Sequence, residues 1–133
     1  MGIEIIDATD RLGKTPGYSY AAKVVGGATV YTAGAVPLDG AGRLVGAGDL
    51  EEQTRVVIDN LVSALDAAGM RPADVVKTTI YVVGREREDL SRVWRVFAST
   101  DLVSAPSTLI GVSLLGYDDQ LVEIEAIAAA SAG

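Results

Sequence analysis

Leu121-Val122-Glu123-Ile124-Glu125-Ala126-Ile127-Ala128-Ala129 decides how the rest of the chain must be arranged. With a strand period of two, Leu121, Glu123, Glu125 and Ile127 share one face, and Val122, Ile124, Ala126 and Ala128 share the other. One face is apolar and the other carries two acids. This is a strand buried on one side, with its acids turned to water, a pocket or a neighbouring chain. Upstream, Ser107 to Leu115 reads as a further strand. Gly116, Tyr117, Asp118 and Asp119 form the connecting loop, so a closing hairpin is expected.

Working outward, Val75 to Val83 is strongly β-branched, with Val76, Thr78, Ile80 and Val82 on one face and Lys77, Thr79 and Tyr81 on the other. Before it, Val57, Leu61, Leu65 and Ala68 recur at helical spacing. Asp49 is placed as N-cap, Glu52 completes a capping box, and Gly69 stands at C′. Glu86 to Thr100 predicts a second helix with Leu90, Val93, Trp94 and Phe97 as its apolar stripe. Nearer the start, Gly2 to Asp7, Tyr18 to Val25 and Thr29 to Val36 read as strands, and Gly26-Gly27 as a tight hairpin turn between the last two. Pro37 to Gly48, with Gly40, Gly42, Gly46 and Gly48, is a loop of the kind that borders sites. The order β-β-β-α-β-α-β-β predicts an α+β domain over residues 1–133, a mixed six-stranded sheet with two helices on one face. The other face would carry Lys77, Thr79, Tyr81, Glu123 and Glu125, and covering it with further copies of the chain is the economical arrangement.

Composition narrows the chemistry. The net charge is −7, and the 11 Lys and Arg residues form no basic cluster, which argues against a nucleic-acid partner. With no cysteine there is no thiolate nucleophile or disulfide. With no histidine, the usual general base near neutral pH and the commonest transition-metal ligand are both missing. No apolar run approaches the roughly 18 residues of a spanning helix, so the expectation is a cytoplasmic protein without a membrane partner.

Several motifs then fall in register. Tyr18-Ser19 precedes a strand, Thr32-Ala33-Gly34-Ala35-Val36-Pro37-Leu38-Asp39 follows one, and Gly48 to Arg55 opens the first helix. Asp74-Val75-Val76-Lys77-Thr78-Thr79 opens a strand, and Val122 to Ala128 closes the chain. Together they resemble the YjgF/RidA family of reactive-intermediate deaminases, also called endoribonuclease L-PSP-like. The resemblance implies a chorismate-mutase-like fold and a homotrimer with small-molecule clefts between subunits. It further implies hydrolysis of enamines and imines to 2-oxo acids and ammonia, with no cofactor and no metal.

Carried over by position, the resemblance makes Glu123 the residue that orients water. Tyr18 and Gly34 help to orient the substrate. Ala33, beside Gly34, and Ser107 and Thr108, beside Pro106, are further candidate substrate contacts, and Tyr117 in the final hairpin is one with no motif behind it. The family's substrate-binding arginine has no counterpart, because Ala105-Pro106-Ser107-Thr108 stands where Ala-Arg-Ser-Thr or Ala-Arg-Ser-Cys is usual. Pro106 has neither a guanidinium nor a main-chain N–H. Trp94 aligns with a cleft asparagine, and Ala35 replaces a glutamine, so the cleft is more apolar than the family's. Two functions follow: a deaminase acting on a substrate other than the usual amino-acid-derived enamines, or a non-catalytic trimer that binds a metabolite or serves regulation.

Each residue also has a plainer role. Glu123 and Glu125, roughly 7 Å apart, would then be solvated or paired with Lys77 on a neighbouring strand as a structural trimer contact, and Trp94 would pack in the core. Arg85, Arg87, Arg92 and Arg95 would form a solvated helix face, one of them reaching a cleft only as the less usual case.

Overall fold

A computed structural model describes residues 3–6, 10, 17, 19 and 21–130. The strands are β1 (Ile3–Ile6), β2 (Ala21–Val24), β3 (Ala28–Tyr31), β4 (Val75–Val82), β5 (Ser107–Gly111) and β6 (Val122–Ala130). The helices are α1 (Leu50–Ala67) and α2 (Arg87–Ala98), and short 3-10 turns at Pro72–Asp74 and Asp101–Ser104 lead into β4 and β5.

Helix α1 starts where the sequence places it, with the Asp49 carboxylate accepting the Glu52 N–H at 3.0 Å. The reciprocal half of the expected capping box is not made: the Asp49 N–H donates to the Gly46 carbonyl, and the Glu52 carboxylate turns to Arg55. Gly69 follows the helix at φ +77°, a left-handed conformation that costs a glycine little.

Two expectations about the sheet are corrected. The described strands form a four-stranded sheet of order β3-β6-β4-β5 and a separate two-stranded ribbon β1-β2, in place of one six-stranded sheet. Gly26 and Gly27 do turn the chain, both at positive φ, but β2 spends its ladder on β1 and β3 spends its own on β6. The closing hairpin is not formed either. β5 runs parallel to β4 at the sheet edge, and β6 returns antiparallel between β3 and β4. The physical reason is burial: β6, apolar along one whole face, gains more from a central position against α1 than from an edge beside β5.

Both helices cover one face. Val76, Thr78, Ile80 and Val82 of β4 and Val122, Ile124, Ala126 and Ala128 of β6 are buried beneath them. Val57, Leu61 and Leu65 of α1 and Val93 and Phe97 of α2 reach zero exposure in that core. A forked ion pair clips the helices together, Arg92 Nη2 and Nε meeting the two Glu51 carboxylate oxygens at 2.6 and 2.9 Å.

Candidate functional site

The opposite face of the sheet is open, and its register can be read across the strands. Glu123 lies opposite Tyr81, which lies opposite Ile110, and Glu125 lies opposite Thr79, which lies opposite Thr108. Glu123, Glu125, Lys77, Thr79 and Tyr81 are all half-buried there. The alternation seen in the sequence therefore puts both acids on the uncovered side, as expected.

Glu123 and Gly34 are brought into direct contact. Tyr31 pairs with Ile127, and Ala35 pairs with Ile124, so four steps along one strand match three along the other. The extra residue is a bulge at Ala33-Gly34, which drops the Gly34 backbone beneath the Glu123 side chain. A Cβ on Gly34 would stand 2.7 Å from Glu123 Cγ and 2.5 Å from its carboxyl carbon, so any other residue there would push the Glu123 side chain out of place. Ala33 is exposed at the crest of the same bulge.

Supports absent from the sequence reading hold this pair. Gln120, 3% exposed, donates to Glu123 Oε1 at 3.2 Å and to the Val122 carbonyl at 3.0 Å, and accepts the Tyr117 N–H at 3.1 Å. Gln53 of α1, fully buried, donates to the carbonyls of Gly46 and Asp119 and accepts the Leu121 N–H at 2.8 Å. Asn60, two turns on, donates to the Val36 and Leu38 carbonyls at 2.8 and 3.0 Å. Helix α1 thus fixes both the loop that enters Glu123's strand and the segment that leaves Gly34. The signal for Gln53 was present: a polar residue at the head of the stripe Val57, Leu61, Leu65 must find buried partners.

The remaining expected residues divide. Thr108 is exposed on the open face, where its hydroxyl accepts from Lys77 Nζ at 2.6 Å. Lys77 forms no ion pair with Glu123 or Glu125 among the described residues, which corrects the expected structural pairing. Glu125 instead accepts from the Tyr81 hydroxyl at 3.2 Å. Burial first, and then that carboxylate, push the Tyr81 hydroxyl above its ordinary pKa. Pro106 is buried and gives its carbonyl to the Thr78 N–H. Ser107 faces the helices, its hydroxyl 2.6 Å from that of Thr78. Trp94 is half-buried on α2, packed against Phe97 with ring centroids 5.4 Å apart and planes tilted by 36°, and borders an open groove together with Ser107. Trp94 thus packs as its plainer role expects, and the groove it borders lies on the helix side of β5, on the other face of the sheet from Glu123.

Tyr117 is exposed in the loop between β5 and β6, not in a hairpin, and its main chain reaches Glu123 through Gln120. Tyr18 lies outside the described residues. Arg92 is committed to Glu51 and Asp89, and Arg95 to Glu88. On an ideal sheet, the Thr108 and Glu123 backbones stand about 12 Å apart, two strands across and two residues along. Among the described residues, no cluster of acids is suited to a metal ion, and no helix is long and apolar enough to cross a membrane.

Comparison with known proteins gives the same frame. The family model described as endoribonuclease L-PSP matches residues 9–130. The chain belongs to the endoribonuclease L-PSP (YjgF/Rid) family. A conserved Rid-family protein of unknown function from Yersinia pestis superposes with a TM-score of 0.86 at 33% identity, covering 98% of this chain and 100% of that one. A RutC family protein of Pyrococcus horikoshii is 34% identical over 110 residues, 82% of this chain and 85% of its own. The 2-iminobutanoate/2-iminopropanoate deaminase of Salmonella typhimurium is 32% identical over 106 residues, 77% of this Rid-family chain and 80% of the enzyme.

Proposed function

We propose that this Rid-family chain hydrolyses an imine or enamine to a carbonyl compound and ammonia, on a substrate other than the usual amino-acid-derived enamines. The observation that carries the reading is the Glu123 carboxylate laid over the Gly34 backbone, held by Gln120 and open to the uncovered face. In this reading an enamine first tautomerises to its imine. The Glu123 carboxylate then takes a proton from a water whose oxygen adds to the C=N carbon and passes it to nitrogen, giving a carbinolamine. The second water proton moves from the new hydroxyl to the amine through the same carboxylate as the C–N bond breaks, the C=O forms and ammonia leaves. Kinship with an imine deaminase supports the reaction class. Pro106, at the position of the family's carboxylate-binding arginine, argues for a different substrate.

The reading includes a cytoplasmic homotrimer of this single domain. A neighbouring copy would bring its β5 edge towards Glu123 across the gap of about 12 Å, with Tyr18 and Thr108 completing the cleft. Exposed apolar side chains on the open face, Tyr31 at 74% and Ile110 at 45%, favour such burial. The family's endoribonuclease name draws no support from a chain of net charge −7 without a histidine. A second reading, a trimer that binds a metabolite without turnover or serves regulation, is favoured by the same Pro106.

The test is ammonia release from 2-aminoacrylate and from bulkier enamines generated in situ. The wild-type protein should turn over the bulkier ones and prefer them to 2-aminoacrylate. Glu123→Gln should reduce the rate by about a hundredfold with assembly intact. Full activity in Glu123→Gln would remove the acid from the mechanism, and a wild-type protein that binds these compounds without releasing ammonia would establish the second reading.

A further inference from the structure

On the helix side of β5 lies a groove of about 550 Å³. Arg87, Leu90, Trp94 and Arg95 of α2 form one wall, and Ser107 and Leu109 of β5 form the other. The helix residues recur at i, i+3, i+7 and i+8, one continuous face. Among the described residues two cations and no acid line the groove, in a chain whose net charge is −7. Arg95 is engaged by Glu88 at 2.8 Å, whereas Arg87 enters no ion pair with any described residue.

We propose that this groove binds an aryl-substituted monocarboxylate, a flat ring joined to a carboxylate by a short carbon chain. The size suits it, since small-molecule sites run from about 300 to 1,000 Å³ and are mostly apolar with a few fixed polar groups. The ring lies against the Trp94 indole, Leu90 and Leu109. The carboxylate meets the fork of Arg87, two turns and about 10 Å along the helix from Trp94, with the Ser91 hydroxyl between them. That separation is why a spacer between ring and carboxylate fits better than a carboxylate set directly on the ring. A guanidinium offers a planar pair of donors matched to a carboxylate. The groove and the Glu123–Gly34 pair lie on opposite faces of the sheet, so this site goes beyond the hydrolase reading and does not depend on it.

Trp94 is the chain's only tryptophan, so its emission reports on the groove directly. The full-length protein titrated with 3-phenylpropanoate should show a saturable change in Trp94 fluorescence. The neutral 3-phenylpropanamide and the ringless propanoate should each bind at least about tenfold more weakly. Arg87→Gln, an exposed change that leaves the core untouched, should weaken the acid by about tenfold or more and leave the amide unaffected. Glu123→Gln should leave the affinity unchanged. Equal binding of acid and amide, or an unaltered Arg87→Gln, overturns the anion anchor. A weakened Glu123→Gln overturns the independence of the two faces. No saturable signal and no calorimetric heat up to about 10 mM overturns the site itself.

Discussion

The two faces of the central sheet obey one alternation and have opposite fates. Beneath the helices, Ile80, Val82, Val122 and Ile124 are fully buried and every neighbour is apolar or hydrogen-bonded. On the other side Lys77, Tyr81, Glu123 and Glu125 are half-buried, Lys77 donating to the Thr108 hydroxyl, Tyr81 to Glu125, and the Gln120 amide to Glu123. The first face is fixed by volume, so its residues are exchangeable for others of the same size. The second is fixed by chemistry at particular positions, so small changes there alter function more than stability.

That contrast can be broken in two ways. Phe97→Ala empties the largest fully buried side chain and should cost about 3–5 kcal/mol of stability, read as a fall in the denaturant midpoint. Gly34→Ala forces a methyl into the Glu123 carboxyl. It should lower imine turnover by about a hundredfold, near 2.7 kcal/mol of transition-state stabilisation, while the denaturant midpoint moves far less than in Phe97→Ala. Equal destabilisation by the two changes would erase the distinction between the faces.

The smallest effect concerns the clip between the helices. Arg92 holds the Glu51 carboxyl at about 2 against an ordinary 4.5, so the stabilisation from this pair is fully present above pH 4.5 and is lost as pH falls through 2. Both side chains are about one-third exposed, so solvent screens the pair and its contribution at neutral pH is small. Arg92→Met should therefore differ little from wild type at pH 7, and its melting temperature should fall less steeply between pH 4.5 and 2. Parallel profiles would show that the clip carries no stability.

Legibility in the sequence followed the range of the interactions. Helix α1, its Asp49 cap and its Gly69 terminator are local, decided within a few residues, and were readable directly. So was the sorting of β4 and β6 into a covered and an open face. The partner of each strand was not readable, because the choice between a β5–β6 hairpin and a central β6 depends on competing long-range burial. Lys77 illustrates the same limit: its charge suggested Glu123 or Glu125, but the register put the Thr108 hydroxyl within reach on the adjacent strand.

By itself the sequence determined the α+β class, the two helices, the polar composition of the open face and the family. Each rests on periodicity or on residue types that need no knowledge of what lies opposite. Only the tertiary structure decided that Gly34 lies under Glu123, that Gln53, Asn60 and Gln120 brace that pair, and that Trp94 and Arg87 share a groove on the other side of β5. The physical reason is that a one-residue bulge and the order of four strands set which side chains meet, and neither leaves a periodic mark in the chain.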